Sequence, residues 1–196
     1  MIIDFHTHIF PPQVINNRER YLESDCCFAM LYQNPRAKLI SAEELIESMD
    51  ESKVDISVVQ NIGWTSHELC VETNDYIIES VKKYHGRLVG FCSVQPLSMD
   101  AAVKEIERCA AAGIRGVGEL RPDVQMSRID NKDFIQPLVD TLVKKKMILL
   151  MHSSEPVGHY YAGKGTVTPQ VLYPFIYNYP ELTVVCAHWG GGLPFY

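Results

Sequence analysis

Residues able to do metal chemistry recur along this chain at a regular kind of position. The first are His6 and His8, in Ile3-Asp4-Phe5-His6-Thr7-His8-Ile9, where apolar and polar residues alternate as on a half-buried strand. On a regular strand Asp4, His6 and His8 share one face, and the two imidazoles lie roughly 7 Å apart at a rise of about 3.3 Å per residue. Two imidazoles so placed can converge on one divalent ion, and Pro11-Pro12 ends the strand just beyond them. Further along, Glu119 follows Gly116-Val117-Gly118, His152 closes Met147-Ile-Leu-Leu-Met151, and His188 closes Leu182-Thr-Val-Val-Cys-Ala187. Each has an ordinary reading alone. His152 suits a hydrogen-bonded loop, His188 a satisfied core histidine, and Glu119 an ion pair with Arg115 or Arg121. Together they all fall at C-terminal ends of apolar strands, and a catalytic zinc ion takes about three such ligands plus water.

The elements that position them alternate. Strands are expected over 54–62, 87–94, 114–120, 147–152 and 182–188, after the opening strand. Helices are expected over 41–52, begun by the capping box Ser41-Ala-Glu-Glu44, and over 66–84, 98–112, 133–146 and 168–179. Pro137 has to fall in the first turn of its helix, and Pro169 suits the first helical position. Short, continuous apolar strands between helices indicate a parallel sheet covered on both faces. An open doubly wound sheet would gather its ligand site at one switch point, and no glycine-rich phosphate loop follows the first strand. Polar groups at the C-terminal ends of many strands suit the mouth of a (β/α)₈ TIM-barrel, with about six of its eight βα units in this chain. The expected organisation is one domain over residues 1–196, C-terminally incomplete by two units, with residues 11–40 as a lid loop containing a helical piece near Cys26–Leu31.

Composition narrows the function. The chain has 196 residues, 46% of them hydrophobic, and a formal net charge of -6, with no basic run longer than Lys144–Lys146. That excludes a nucleic-acid groove, and no apolar run approaches the roughly 20 residues of a membrane span. With no secretory signal and six cysteines lacking any CxxC spacing, a cytoplasmic protein with reduced thiols is expected. His67 and His85 are expected in helices, solvated.

DFHTH, MHSSEPVGHYYAGKG and VVCAHWGGGLPFY resemble the amidohydrolase superfamily, more narrowly the branch that includes aminocarboxymuconate-semialdehyde decarboxylase. The resemblance runs the length of the chain in strand order. It implies metal binding by His6, His8 and His152. It also implies that His188 binds a second metal or orients and deprotonates the attacking water. Glu119 resembles the acidic group that bridges two metals in TatD-like and phosphotriesterase-like relatives; the alternative is one metal, with Glu119 holding a histidine or a substrate group. The family's aspartate at the end of the eighth strand has no counterpart here. The expected cofactor is Zn²⁺, one or two ions, with Mn²⁺ or Fe²⁺ as alternatives. Trp64, Arg121 and His159 are the expected substrate-binding residues; Arg18, Arg20, Tyr21, Tyr160 and Lys164 are expected to shape the pocket. The expected activity is hydrolysis of a small molecule by a metal-activated water, with non-oxidative decarboxylation of a small carboxylated substrate as the alternative and a non-catalytic incomplete barrel as the third reading. Exposed sheet edges make self-association the expected partnership besides the substrate.

Overall fold

The computed structural model describes residues 1–125 and 129–192. Six strands, β1 (Ile3–His8), β2 (Ile56–Gln60), β3 (Leu88–Cys92), β4 (Gly116–Leu120), β5 (Ile148–Met151) and β6 (Val184–Cys186), form one parallel sheet in sequence order. Eight right-handed α-helices accompany them among the described residues: α1 (Pro12–Asn16), α2 (Arg18–Ser24), α3 (Cys26–Tyr32), α4 (Ala42–Ser52), α5 (His67–Lys83), α6 (Asp100–Ala111), α7 (Lys132–Lys145) and α8 (Pro169–Asn178). The sheet curls into an incomplete (β/α)₈ barrel. Within the described residues β1 and β6 each have a strand neighbour on one side.

Alternation along the strands separates two apolar layers. Val59, Cys92, Val117, Leu149 and Met151 pack with Ile77, Ile106, Leu138 and Leu142 of the surrounding helices. Val58, Phe91, Leu150 and Ala187 form a smaller cluster on the concave side. A third cluster, Phe10, Val14, Tyr21, Cys27, Phe28, Ile62, Trp64 and Cys70, ties the segment after β1 to the end of β2.

Over 11–40, where a lid loop with one helical piece near Cys26–Leu31 is expected, the chain forms three short helices in succession, and the expected piece is α3. Pro12 occupies the first position of α1, and the Asp25 carboxylate caps α3 by accepting from Phe28 N–H at 2.9 Å. Arg18 then gathers the chain end of α3, donating to the carbonyls of Tyr32, Asn34 and Ala37. α1 and α2 are too short for an apolar period to register, and Val14 and Tyr21 hold them in the cluster around Trp64. α4 begins with the expected reciprocal capping box between Ser41 and Glu44. Pro137, expected in a first turn, lies inside α7 with Lys132 as the first residue, so the Asp133 carbonyl has no helical N–H to accept. His85 lies in the turn after α5, outside the helix.

A polar link joins α5, α6 and β3. Glu105 is 5% exposed and accepts from Arg108 Nε and Nη2, both at 2.8 Å, and from Asn74 Nδ2 at 2.7 Å. Asn74 in turn accepts from Ser93 N–H at 2.7 Å. Burial alone would raise the Glu105 pKa; the bonds from Arg108 and Asn74 overcome it and hold the carboxyl below the usual 4.5. A carboxyl with a depressed folded-state pKa stabilises the fold above its unfolded value, and that contribution is lost as pH falls through the folded pKa. Glu105→Gln is therefore expected to lower stability by about 1–3 kcal/mol at neutral pH, the range for a lost charged hydrogen bond, and the difference from wild type should shrink in acid. Urea melts of both proteins at neutral and acidic pH check it; a difference independent of pH would assign the loss to packing.

Candidate metal centre

The strands do not deliver the site by simple alternation. In β1, Asp4 pairs with Ser57 and Thr7 with Val59, so Phe5 and His6 stand where β2 offers Val58 alone. This bulge breaks the phase that would put Asp4 with the histidines. Asp4 is exposed and accepts from His6 N–H, while Phe5 turns its ring edge-on to Phe91 of the concave cluster. In β4 the register shifts between Val117 and Leu120, both of which pack in the helix-facing core. An odd number of steps between two residues on the same face leaves Glu119 free to point inward. Bulges commonly re-aim side chains beside active sites. Asn61 fixes these strand ends: its Nδ2 donates to Ile9 O at 2.8 Å and its backbone carbonyl accepts from Glu119 N–H at 3.3 Å.

Glu119, 6% exposed, becomes the centre of four imidazoles. Its Oε2 lies 3.5 Å from His6 Nε2 and 3.8 Å from His8 Nε2; its Oε1 lies 2.9 Å from His152 Nδ1 and 3.9 Å from His188 Nε2. The expected ion pair with Arg115 or Arg121 is not formed; Arg121 pairs with Asp123 instead. His6 Nε2 and His8 Nε2 are 3.0 Å apart. Two nitrogens each about 2.1 Å from one ion stand roughly 3.0–3.5 Å apart, so that pair matches the spacing of two ligands of one cation. The donor atoms fall into two sets that share the carboxylate, His6–His8–Glu119 and Glu119–His152–His188.

Neighbouring groups aim these donors. His188 donates from Nδ1 to Ser153 O at 2.9 Å, which leaves the Nε2 lone pair facing Glu119. The turn that carries it runs left-handed through His188, Trp189, Gly190 and Gly191, with φ between 53° and 66°. A Cβ on Gly191 would meet Ser154 O at 2.4 Å, so glycine is needed there for both conformation and space. His152 places Nε2 3.0 Å from Ser154 Oγ, which accepts from Gly165 N–H at 2.9 Å. Burial opposes ionisation of Glu119, but the histidines, His152 first, hold its carboxyl well below the usual range. Burial pushes His8 down to about 4 against the pull of Glu119, and it lowers His188 as well. A buried carboxylate ringed by imidazoles with lone pairs to offer is a donor set that fits a divalent cation.

The cluster forms one wall of a cavity of about 320 Å³, whose other walls include Tyr32, Arg121, Tyr161 and Gly163. It adjoins a wider groove of about 890 Å³ that shares His8 and Tyr32. Of the expected substrate-binding residues, Arg121 lines the cavity. Trp64 does not: it is fully buried and stacked on Phe28 at 5.3 Å, because α1–α3 cover the end of β2. His159 is exposed on the loop after β5 and packs against Tyr161, away from the cavity lining. Tyr21 is buried and donates to Glu72, Arg18 is occupied by backbone carbonyls, and Tyr160 faces solvent. Tyr32 and Ser154 were not legible as site residues, since neither falls at a strand end marked by alternation. Residues 193–196 of the last motif, where the chain was expected to stop short of a further helix, lie outside the described residues.

The histidines and the acid gather at the strand ends of a partial parallel barrel, the face on which barrels of this kind carry their sites. The amidohydrolase family model matches residues 3–195, and the chain belongs to that family. The 2-amino-3-carboxymuconate-6-semialdehyde decarboxylase of Dictyostelium discoideum is 23% identical over 98% of this chain and 64% of its own length. The chain thus spans less than two thirds of that curated relative. Among solved structures, 5-carboxyvanillate decarboxylase from Novosphingobium aromaticivorans, with manganese and 4-hydroxy-3-methoxy-5-nitrobenzoic acid, matches with a TM-score of 0.80. Its identity is 20%, over 100% of this chain and 67% of that one. LigW, the 5-carboxyvanillate decarboxylase of Sphingomonas paucimobilis, has a TM-score of 0.73 at 17% identity, over 99% and 69%. No helix among the described residues is long and apolar enough to cross a membrane.

Proposed function

We propose that this site serves metal-dependent, non-oxidative decarboxylation of a small carboxylated substrate. The observation that carries the reading is the buried Glu119 carboxylate facing four inward-aimed imidazoles beside a cavity that also holds a guanidinium. The names of the relatives support decarboxylation ahead of the hydrolysis expected first from the sequence. His6, His8 and Glu119 would hold the cation, and His152, bonded to the same carboxylate, would orient it. When bound, Mn²⁺ or Zn²⁺ would supply the positive charge that steadies the electron pair left as the bond to the carboxylate breaks. His188, its Nδ1–H given to the Ser153 carbonyl, would take a proton from solvent at its free Nε2 and pass it to the carbon whose bond to CO₂ breaks. Glu119 keeps His152 oriented, and Ser154 fixes that ring from its far side. α3 and the loop after β5 cover the cavity through Leu31, Tyr32, Tyr161 and Ala162 and so limit water.

Hydrolysis is the second reading, favoured by one observation: the two oxygens of Glu119 face separate histidine pairs, as a carboxylate shared by two cations would. The chain loaded with Mn²⁺ or Zn²⁺ and offered a panel of small aromatic carboxylic acids is expected to release CO₂. His188→Asn is expected to slow that step by about 10²–10⁴-fold with the cation still bound, the usual contribution of a positioned acid or base. Hydrolysis of esters or lactones without CO₂ release would replace the proposal with the second reading. Neither reaction would leave an incomplete barrel without catalysis of its own.

A further inference from the structure

Arg121 has more hydrogen-bond donors than the protein satisfies. It follows β4, is 1% exposed, and lines the same cavity as Glu119, His152 and His188. A guanidinium carries five N–H donors. Nη2 uses its two on Asp123 Oδ2 at 3.1 Å and the Gly163 carbonyl at 3.0 Å. Nε is buried without a partner, and the contact of Nη1 is the Met30 sulfur at 4.0 Å. Among the described residues three donors therefore lack an oxygen acceptor, on a side chain that lines the cavity. Unsatisfied charged donors are costly when buried, and such a group is retained where something supplies the missing acceptors.

The surroundings are shaped to this side chain. A Cβ on Gly63 would come within 2.9 Å of Arg121 Cβ. A Cβ on Gly165 would lie 2.9 Å from Nη2 and 2.2 Å from Asp123 Oδ2. The backbone of the arginine is fixed as well. Its N–H donates to Gln125 Oε1 at 2.8 Å, and Gln125 Nε2 donates to the carbonyls of Trp64 and Val94 at 3.0 and 2.7 Å. Two glycines and a glutamine thus hold a cation in place that the fold itself leaves half used.

We infer that Arg121 is an anchor for a carboxylate of the substrate, set apart from the metal-binding cluster across the same cavity. The inference rests on the reading above that this cavity receives substrate, and it narrows the substrate class to small planar acids. A planar fork of donors suits a carboxylate, the cavity has a volume of about 320 Å³, and Tyr32 and Tyr161 offer aromatic walls. Asp123 occupies one edge of the guanidinium and keeps it aligned; the remaining donors serve the ligand.

Isophthalate and its neutral diamide, isophthalamide, are probes of equal shape, to be titrated by calorimetry into the metal-free chain. Wild type is expected to prefer isophthalate at least tenfold. Arg121→Lys should keep part of the preference. Arg121→Met combined with Asp123→Asn, which leaves no unpaired buried charge, should abolish it while circular dichroism and the melting temperature confirm the fold. No binding of isophthalate at millimolar concentration, equal binding of the two probes to wild type, or a preference that survives in the folded double variant would overturn the inference. Because the readout needs neither cation nor turnover, a chain that fails to decarboxylate still answers this question. Conversely, cation binding and CO₂ release without a carboxylate preference would sink the anchor alone.

Discussion

Glu119→Gln is expected to weaken Mn²⁺ and Zn²⁺ binding by about 100-fold or more, since even partners one step removed from an ion are worth about 10–100-fold. The amide preserves the size of the side chain but removes the charge that both donor sets share. It also presents an NH₂ group to imidazole nitrogens where the carboxylate presented an oxygen acceptor. The loss should therefore appear for both cations and should not be rescued by raising the pH. Calorimetric titration of each ion, with circular dichroism to show the fold is retained, measures it. An unchanged affinity in a folded variant would return Glu119 to a structural role and take the metal centre with it. A change in stoichiometry from two ions to one would support the two-sided arrangement around the carboxylate.

Trp64→Ala is expected to destabilise the fold by about 3–5 kcal/mol, the usual loss for a large aromatic removed from a core. Trp64 is wholly inaccessible, lies against Phe28 and near Tyr21, and links α2 and α3 to the end of β2. Its indole nitrogen has no hydrogen-bond partner, so Trp64→Phe removes no bond and should cost much less than the alanine. Denaturant midpoints for the two variants decide between packing and recognition. A stable Trp64→Ala protein with impaired ligand binding would restore the substrate-contact role expected from its place after β2.

That misplacement shows where the sequence was legible and where it was not. Alternation along Ile3–Ile9 and the polar residues ending each apolar run were enough to foresee parallel βα units and to name His6, His8, Glu119, His152 and His188. The spacing of residues carries that information because a strand exposes its last side chains at the barrel mouth. It does not carry register. The bulge at Phe5–His6 and the shift between Val117 and Leu120 depend on how neighbouring strands pair, and they decide that Asp4 leaves the cluster while Glu119 joins it. The covering helices α1–α3 are likewise set by burial in the cluster around Trp64 and, for α3, by the Asp25 cap, which a window of hydrophobicity does not detect. The same cover hid the aromatic role of Tyr32 and turned a plausible ligand contact, Trp64, into core.

The two register shifts also bear on how this chain reaches its native state. A parallel sheet pairs no strand with an immediate hairpin neighbour, so its contacts form late and at long sequence separation, which slows folding. The cluster joins β1 to β4, β5 and the turn after β6, elements near opposite ends of the sequence. A cation that binds only when those elements have come together acts as a reversible cross-link. At a free concentration 100 times its dissociation constant, such a ligand adds about 2.7 kcal/mol to the stability of the folded state. Metal supply would then govern how long the barrel stays assembled as well as what it can do.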